Sequence, residues 1–419
     1  MRIPLPAVVL VSLALATLAS AQTHADYRLE AEAAYKRKDY PAALAATKDA
    51  LALRPDSPRY LHNLAALSAL TGDAASAYGY LRKLGTLGVV TAIERDPDLA
   101  SIQGTPEFRR ILDQFATNRE PRGEAHLFAE LAGRTGIVEG IAVRARTGDL
   151  FFGDVHHRCI WRRDRAGELT RFTAENEELF GVMGLALDEA RNTLWAATSA
   201  LPEMIGFEPA MKGHAAIAEF DLSNGELRRI IPVPDDGRQH TLGDLCLAPD
   251  GTVYATDSAS PIVWKLIPDA EEPQKLVDDP AFGSLQGLVL DQGKLLVSDY
   301  SNGLCAIDLA TGTITVLQPP ENFTLLGIDG LATIPGGLVA TQNGVTPQRV
   351  LRLTLSPALD KIEAVQVLAS GQPDLTDLTL ITILENRPTF IAGSGWDAVS
   401  AKAKQPAAHP VRLFQVEVK

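Results

Sequence analysis

Six related segments recur in the second part of the chain, and one position in each could carry chemistry. Each segment begins with an apolar residue and a variable residue, and the residue after these two is Gly or Asp. An apolar strand, a turn bearing Gly or Asp, and a second apolar strand follow. The variable residues are Glu139, Met183, Gly243, Gln286, Asp329 and Thr376. Two of these are carboxylates and one is an amide, and side-chain oxygens of this kind bind Ca²⁺, Mg²⁺ or Mn²⁺.

The spacing of the segments predicts how these side chains are brought together. Successive variable positions lie 44, 60, 43, 43 and 47 residues apart, which is about the length of one four-stranded blade of a β-propeller. The innermost strand of every blade begins near the central channel, so the variable positions should converge on one axis. Two carboxylates buried there together are costly unless a cation or a proton intervenes.

Residues 125–419 are therefore predicted to form a six-bladed β-propeller, and the fold class is mainly β. The apolar run 126–131 has no blade of its own, so we expect it to pair with 412–416 and complete the sixth blade. This pairing closes the ring and removes both exposed sheet edges. The stretch 199–216 is rich in Pro, Met and Gly and is predicted to be an inserted loop rather than part of a seventh blade.

The residues before the propeller have helical periodicity and an internal repeat. The run from Asp39 to Ala43 realigns with the run from Asp73 to Ala77 at an offset of 34 residues, which is the period of tetratricopeptide repeats. Residues 22–117 are predicted to form a small all-α domain that resembles such repeats, with 106–115 as a capping helix. Two repeats bury little apolar surface alone, so the domain is either a spacer docked on the propeller or a binding module for a peptide or protein. Residues 118–124 are the predicted linker.

The first residues and the net charge predict location and partners. Arg2, an apolar run and Ala19-Ser20-Ala21 make residues 1–21 a candidate signal peptide, cleaved after Ala21, with a retained membrane anchor as the alternative. The protein is then periplasmic or secreted, and no span is expected after cleavage. The 39 Lys and Arg stand against 52 Asp and Glu, a net charge of −13. A field of this sign repels nucleic acid and anionic membranes.

The propeller segments resemble the senescence marker protein (regucalcin) and gluconolactonase family over residues 125–419. The motifs in common are Val138-Glu139-Gly140, Phe152-Gly153-Asp154, Pro249-Asp250-Gly251 with Tyr254-Ala255-Thr256-Asp257, and Ile328-Asp329-Gly330. The resemblance implies an axial divalent metal held by a Glu in the first blade, an Asn in the fourth and an Asp in the fifth. It also implies lactone hydrolysis, in which the metal polarises the carbonyl and activates water and an Asp or similar residue is the base.

The chain matches this pattern in part. Glu139 and Asp329 match by blade and by motif, and Gln286, one methylene longer than Asn, stands at the fourth-blade position. Gly243 precedes Asp244 where members often have Asn followed by Asp, so one contact is missing and Asp244 is the implied catalytic carboxylate. Thr241 stands near a substrate-binding Arg of some members and is an implied substrate contact.

Loops between the second and third strands should open on the same face as the metal ligands. The loop after Asp154 carries His156 and His157, whose imidazoles are candidates for a general base or for holding substrate, with an exposed turn as the alternative. The long loops 199–214 and 394–409 are predicted to wall the mouth, and Trp396 is the candidate substrate contact.

A recurrent aspartate ends the second strand of three blades. Asp154, Asp257 and Asp299 stand at the same place in their segments. Recurrence at one structural position favours turn formation over catalysis.

Two functions from different classes follow from these patterns. The first is an exported metal-dependent hydrolase of lactones or related esters, with Glu139, Gln286 and Asp329 as ligands of Ca²⁺, Mg²⁺, Mn²⁺ or Zn²⁺. The second is a non-catalytic binding protein of the cell envelope, in which the propeller rim and the helical repeats dock a peptide or protein partner. The sequence leaves open which of the two applies.

Overall fold

The computed structural model describes residues 22–131, 133, 135–396, 398–399 and 410–418. The predicted signal peptide, residues 1–21, lies outside the described residues, as does most of the predicted mouth loop beyond Trp396. Within the described ranges, helices occupy the N-terminal part and strands follow. None of these helices is long and apolar enough to cross a membrane.

The N-terminal part contains five α-helices. They are α1 (His24–Lys36), α2 (Tyr40–Leu53), α3 (Pro58–Leu70), α4 (Ala74–Thr86) and α5 (Pro106–Arg119), with 3₁₀ turns at Ile93–Arg95 and Pro97–Leu99. The 34-residue repeat reappears in the helix caps. Asp39 accepts a hydrogen bond from the Ala42 amide at 3.2 Å, and Asp73 accepts one from the Ser76 amide at 3.0 Å, so each aspartate caps the second helix of a pair.

The helical region is docked on the propeller through an apolar core. Helices α3, α4 and α5 bury a cluster that includes Leu61, Leu81 and Phe115, and Val345 of the propeller belongs to the same cluster. The main chain adds a hydrogen bond from the Val90 amide to the Thr346 carbonyl at 2.8 Å. Two helical pairs alone bury little apolar surface, and the propeller supplies part of what they lack.

The propeller begins with two strands that do not belong to the first blade. These are β1 (Arg122–Gly123) and β2 (Ala125–Leu131). The first three blades are β3 (Val138–Arg144), β4 (Asp149–Asp154), β5 (Cys159–Arg163) and β6 (Leu169–Arg171); β7 (Gly181–Asp188), β8 (Thr193–Ser199), β9 (Ala215–Asp221) and β10 (Leu227–Pro232); and β11 (Leu242–Leu247), β12 (Val253–Asp257), β13 (Ile262–Leu266) and β14 (Gln274–Asp278).

The remaining blades complete the ring. They are β15 (Leu285–Asp291), β16 (Lys294–Asp299), β17 (Gly303–Asp308) and β18 (Ile314–Val316); β19 (Ile328–Ile334), β20 (Gly337–Gln342), β21 (Arg349–Leu355) and β22 (Ile362–Ser370); and β23 (Ile381–Leu384), β24 (Arg387–Ala392) and β25 (Val411–Val416) with β2. The innermost strands β3, β7, β11, β15, β19 and β23 contact one another in a closed circle. The prediction of six blades is confirmed.

The predicted ring closure is also confirmed. Strand β2 pairs antiparallel with β25, from Ala125 opposite Val416 to Leu131 opposite Val411. The sixth blade therefore combines the start and the end of the propeller sequence. Within the predicted insertion 199–216, residues 200–214 connect β8 to β9 as a loop with a 3₁₀ turn at Pro209–Met211, while Ser199 ends β8 and residues 215–216 begin β9.

The predicted linker 118–124 is held in place at several points. Asn118 belongs to α5, and its amide donates to the Gly85 and Val89 carbonyls at 2.8 and 3.1 Å. Strand β1 then pairs with the outer strand of blade 5, with Gly123 opposite Ala369. This segment contains more hydrogen-bonded structure than its Pro and Gly suggested.

Each innermost strand of the first five blades bulges at its variable residue. In β3 the pairing with β4 skips from Val138 to Ile141, and the same shift recurs in β7, β11, β15 and β19. The residue after the variable position lies against the next inner strand. A Cβ atom on Gly140 would lie 2.1 Å from the Met183 carbonyl oxygen, and one on Gly287 would lie 2.4 Å from the Asp329 carbonyl oxygen. Glycine is needed where the inner strands meet this closely.

Substitution of Gly140 should therefore weaken the ring. We expect Gly140→Ala to lower the free energy of unfolding by about 1–3 kcal/mol, because the new methyl collides with main chain that cannot move aside. Gly79→Ala is the matched control, since nothing lies near its Cβ position on α4 and the change should add about 0.5–1 kcal/mol. Urea unfolding measures both; equal stability of the two variants would contradict the close packing of β3 on β7.

Candidate functional site

The structure brings the two predicted carboxylates together at the axis. Glu139 and Asp329 are the second residues of β3 and β19, and both are buried, with 7% and 5% of their surface exposed. Burial raises the pKa of Glu139 well above its ordinary value, and the nearby charge of Asp329 raises it further. We call Glu139 and Asp329 the axial pair.

The loop after the sixth blade's second strand fixes the orientation of Glu139. The Trp396 indole donates to Glu139 Oε2 at 2.5 Å, and this bond favours the ionised carboxylate. The loop itself is held by Asp377, whose Oδ2 accepts from the Gly395 and Trp396 amides at 2.9 and 3.1 Å. The charge of Asp377 also raises the pKa of both members of the axial pair.

A chain of hydrogen bonds through Asn343 of its own blade and Tyr300 of blade 4 orients Asp329. The Asn343 amide donates to Asp329 Oδ2 at 2.6 Å and to the Leu378 carbonyl at 2.7 Å, and its Oδ1 accepts from the Tyr300 hydroxyl. Burial raises the pKa of Asp329 to about 7, against the effect of the Asn343 bond. Burial and the charges of Asp329 and Glu139 raise the pKa of Tyr300, so its hydroxyl stays a donor.

A third buried carboxyl, Asp244, lies one residue beyond the axial position of blade 3. Its Oδ1 accepts from the Leu245 amide at 2.9 Å and its Oδ2 from the Leu288 amide at 3.4 Å. Burial raises the pKa of Asp244 to about 7. Its charge also raises the pKa of Glu139. The predicted catalytic Asp244 therefore lies within electrostatic reach of the axial pair, but between inner strands.

The amide of Gln286 extends toward the side chain missing from blade 3. Its Nε2 donates to Ser284 Oγ at 2.9 Å, and its Oε1 lies 3.8 Å from the place where a Cβ would stand on Gly243. The amide oxygen of Gln286 therefore lies in van der Waals range of the axial position of blade 3.

The sixth axial position differs from the predicted one, Thr376. The pairing of β23 with β24 makes Ile381 the counterpart of Leu331, which lies two residues beyond Asp329. The axial residue of blade 6 is therefore Thr379. Its side chain is buried and uncharged, so it adds no further charge to the pocket.

The predicted catalytic histidines contact a neighbouring turn. His157 Nδ1 lies 2.9 Å from Asp154 Oδ2, and this bond raises the pKa of His157. His156 Nδ1 lies 2.5 Å from the Glu203 carbonyl in the loop after β8. Within the described ranges, neither ring makes a hydrogen bond to the axial pair. The structure thus groups both rings with the rim loops of blades 1 and 2.

The recurrent aspartates organise turns, as their repetition predicted. Asp257 accepts from the amide of Thr241 at 3.0 Å, from His240 Nδ1 at 2.6 Å and from the Trp264 indole at 3.3 Å. Asp154 and Asp299 also accept several hydrogen bonds from the adjoining loops and strand. Thr241, the predicted substrate contact, is half-buried, and its main chain belongs to this turn network.

A large cavity lies between the helical region and the propeller beside this site. Its volume is about 880 Å³; His24, Arg59 and His62 line it from the helical side, and Tyr300 and Asn343 line it from the propeller. Asn343, which lines the cavity, also donates to Asp329. The helical region therefore forms one wall of the space next to Tyr300 and Asn343, the residues that orient Asp329.

The sequence patterns did not single out Tyr300, Asn343 or Asp377. A signal for Asn343 existed, because the turn aspartate of other blades is replaced in blade 5 by Gln342, which bonds the Thr324 and Leu326 carbonyls. The side chain of the next residue, Asn343, was then free to donate to Asp329. Tyr300 follows Asp299, which keeps its turn contacts, so the sequence carried no such signal for Tyr300.

The donor set suits a hard cation in oxygen coordination. Glu139 Oε1 and Asp329 Oδ1 accept no hydrogen bond from any side chain or amide that the structure describes, and Gln286 Oε1 likewise. In the same part of the chain, no group of three or more His, Cys, Asp or Glu is arranged to hold a metal ion. An ion here would therefore depend on two carboxylates and an amide, a set that Ca²⁺, Mg²⁺ and Mn²⁺ accept and Zn²⁺ does not favour.

Comparison with known proteins gives likeness at the level of the fold. No protein-family profile matches the chain, and no curated protein matches it. Similar solved structures include a gluconolactonase from Xanthomonas campestris, with 16% identity, 71% of this chain and 94% of that chain covered, and a TM-score of 0.47. Gluconolactonase-like propellers are thus among the structural neighbours.

Neighbours with other chemistry are equally similar. The virginiamycin B lyase from Staphylococcus aureus has 14% identity, coverage of 72% of this chain and 90% of that chain, and a TM-score of 0.47. The PQQ-bound aldose sugar dehydrogenase from Streptomyces coelicolor has 15% identity, coverage of 71% and 99%, and a TM-score of 0.48. Similarity at this level assigns no activity, because one fold hosts several chemistries.

The raised pKa values predict how stability depends on pH without divalent cations. Asp329 and Asp244 titrate near 7 when folded and near 4 when unfolded, so the folded chain binds more protons between these values. The free energy of unfolding should therefore fall as pH rises from about 4 to about 7. Asp329→Asn should flatten this decline, and Asp269→Asn, on an exposed turn, should not. Urea unfolding between these pH values measures the decline in the free energy of unfolding. An unchanged slope in Asp329→Asn would contradict the repulsion between the buried carboxylates.

Proposed function

We propose that the protein is a hydrolase that opens lactones or related esters at the axial pair, with a divalent cation held there. The observation that carries the proposal is the burial of Glu139 and Asp329 within electrostatic reach of each other, each with one oxygen fixed by a donor and one that accepts no hydrogen bond in the part of the chain that the structure describes. Two buried carboxylates that repel each other are strongly stabilised by a cation between them. Gln286 Oε1 is the candidate third ligand.

The chain's own groups orient this site. Trp396 and Asn343 each donate to one carboxylate oxygen, which leaves the second oxygen of Glu139 and of Asp329 without a hydrogen-bond donor among the described residues. Asp377 and Tyr300 hold those two donors in turn, an arrangement typical of groups that orient metal ligands. A cation bound there supplies polarisation of the substrate carbonyl and a lowered pKa for a coordinated water.

Asp244 is the proposed proton acceptor. A carboxyl with a pKa of about 7 is half ionised near neutral pH, which suits a general base. The histidines are less well placed for this role, because His157 is bonded to Asp154 and His156 to the Glu203 carbonyl. We assign them to the rim, where they border the mouth with the 199–214 loop.

The proposed location is the periplasm or the exterior of the cell, on the strength of residues 1–21. The proposed ligands are small lactones or esters rather than nucleic acid, in keeping with the net charge of −13. The cavity of about 880 Å³ that Tyr300 and Asn343 line is large enough for such a molecule.

A second candidate function is peptide or protein binding by the helical region. A concave space of about 370 Å³ among α1, α2 and α3 is lined by Tyr35, Tyr60 and Asn63. Aromatic and amide side chains in a groove are common in recognition of extended peptides. This candidate gains weight if the axial pair binds no cation.

Cation binding is tested by the melting temperature of metal-free protein titrated with Ca²⁺ and with Mn²⁺. The wild type should gain about 2.7 kcal/mol at 100 times the dissociation constant, and Glu139→Gln or Asp329→Asn should lose this gain. Glu272→Gln, the same change at an exposed position, should keep it. An equal gain in Asp329→Asn would remove the axial site from the explanation.

Hydrolysis is tested on sugar lactones and acyl lactones with the metal-loaded protein. Asp244→Asn should lower kcat by about 10²- to 10⁴-fold while the cation-dependent rise in melting temperature persists, because its oxygens are bonded to amides rather than free for the metal. His157→Gln should have a much smaller effect. No turnover of any lactone by protein that binds the cation would overturn the hydrolase and leave the metal site standing.

A further inference from the structure

Two buried threonine hydroxyls connect the main chains of the axial pair. Thr341 is the penultimate residue of β20, Thr379 is the axial residue of blade 6, and neither is more than 1% exposed. The amide of Gly330, the residue after Asp329, donates to Thr341 Oγ1 at 2.9 Å. Thr341 Oγ1 donates to the Thr379 carbonyl at 2.6 Å, and Thr379 Oγ1 donates to the Glu139 carbonyl at 3.1 Å. We call Thr341 and Thr379 the hydroxyl bridge.

The bridge spans the blade that separates the two carboxylates in the ring. A hydroxyl has a single hydrogen, and Thr341 and Thr379 each use it to bond the inner strand of the next blade. Both side chains are sealed from solvent, so water is a poor substitute for either bond. The positions of β19 and β3 relative to each other therefore depend on these two hydrogen bonds.

Equivalent hydroxyls hold the other candidate metal ligands. The strand registers place Thr256 of β12 and Ser298 of β16 at positions equivalent to Thr341. Thr256 Oγ1 donates to the Gln286 carbonyl at 2.5 Å, and Ser298 Oγ donates to the Asp329 carbonyl at 3.0 Å. Together with the bridge, these bonds place a hydroxyl on the main-chain oxygen of all three candidate ligands.

The axial residues that offer no ligand oxygen lack such a bond. Blades 1 and 2 have Gly153 and Ala197 at the equivalent position, and the inner strands that follow them in the ring carry Met183 and Gly243. A Cβ on Gly153 would lie 2.4 Å from the Met183 carbonyl oxygen, so the strands meet there without a hydroxyl. Among the described side chains, no hydroxyl donates to the carbonyl of Met183 or Gly243. Hydroxyls that only packed one blade on the next would recur around the whole ring, whereas these follow the ligand positions.

We infer that the hydroxyl bridge positions the axial pair, and that Thr341 and Thr379 thereby set the affinity of the site for a divalent cation. The two threonines act through the main chain of Glu139 and Asp329 rather than as ligands. Outer hydrogen bonds of this kind orient ligands and tune metal affinity. The effect on affinity rests on the proposed function. The same separation also governs the repulsion between the carboxylates when no ion is bound.

The first test is calorimetric titration of the whole, metal-free protein with Ca²⁺ and with Mn²⁺. Thr379→Val and Thr341→Val, which keep the branched side chain and remove the hydroxyl, should each weaken binding by about 10- to 100-fold. Thr379→Ser keeps the hydroxyl and should restore the wild-type affinity. Thr198→Val is the matched control, because this fully buried hydroxyl donates at 2.9 Å to the Ala216 carbonyl of its own blade. It should bind the cation as the wild type does.

The second test needs no cation and is independent of the hydrolase. In metal-free protein, the free energy of unfolding should decline less steeply between pH 4 and 7 in Thr379→Val and Thr341→Val than in the wild type, because the carboxylates can then move apart. Thr198→Val should keep the wild-type slope. Urea unfolding of the four proteins measures these slopes.

The two tests separate the bridge from the proposed function. If the wild type binds neither cation, the metal-dependent hydrolase fails and the pH slopes alone decide the bridge. Wild-type slopes in both bridge variants would overturn the inference, as would an equal loss of cation affinity in Thr198→Val. If Thr379→Val does not fold, Thr341→Val and Thr379→Ser provide the comparison.

Discussion

Repulsion between two buried carboxylates is the constraint around which the centre of this propeller is organised. Glu139 and Asp329 come from distant parts of the ring sequence and lie buried within electrostatic reach of each other, so the folded chain must either take up protons there or accept a cation. Their neighbours fit this need. Trp396 donates to one oxygen of Glu139, and Asn343 donates to one oxygen of Asp329. These bonds fix the orientation of the two carboxylates while their charges stay close. The same repulsion connects stability, pH and the proposed chemistry.

The ring itself follows from the sequence for a simple physical reason. A propeller repeats one hairpin pattern, and each repeat must bury its faces against the next, so hydrophobic alternation and turn residues recur at a nearly constant period. Closure was predictable because the run 126–131 had no partner near it in sequence and an unpaired edge is unfavourable. Glu139, Asp329 and Gln286 were found because they occupy equivalent positions in that pattern. The tetratricopeptide assignment of the helices stays a prediction, although the Asp39 and Asp73 caps repeat as expected.

The rest of the site depends on contacts that no repeat encodes. Residues 375–380 carry apolar side chains at uneven intervals, so two alignments fit the sequence, and the strand pairing selects the one that places Thr379 at the axis. Tyr300 and Asp377 act on the axial pair from loops of blades 4 and 6, and Asn343 acts from the loop that follows β20 in the blade of Asp329. In the sequence Arg349 resembles an ordinary strand residue, and its burial arises only because the helical region packs over it. In each case the chemistry arises from tertiary neighbours far apart in the chain.

The short strand β1 has a mechanical consequence. It ends at Gly123 on the outer edge of blade 5, and β2 begins at Ala125 in blade 6, so Glu124 is the single residue between two separate sheets, and its own amide is bonded to the Leu368 carbonyl. The chain has almost no slack at this point. Any swing of the helices away from the propeller would peel β1 from blade 5 and pull on the strand that closes the ring. Rotation of the helical region is therefore coupled to opening of the ring, because the helices hold the segment that leads into β2, the strand that closes blade 6.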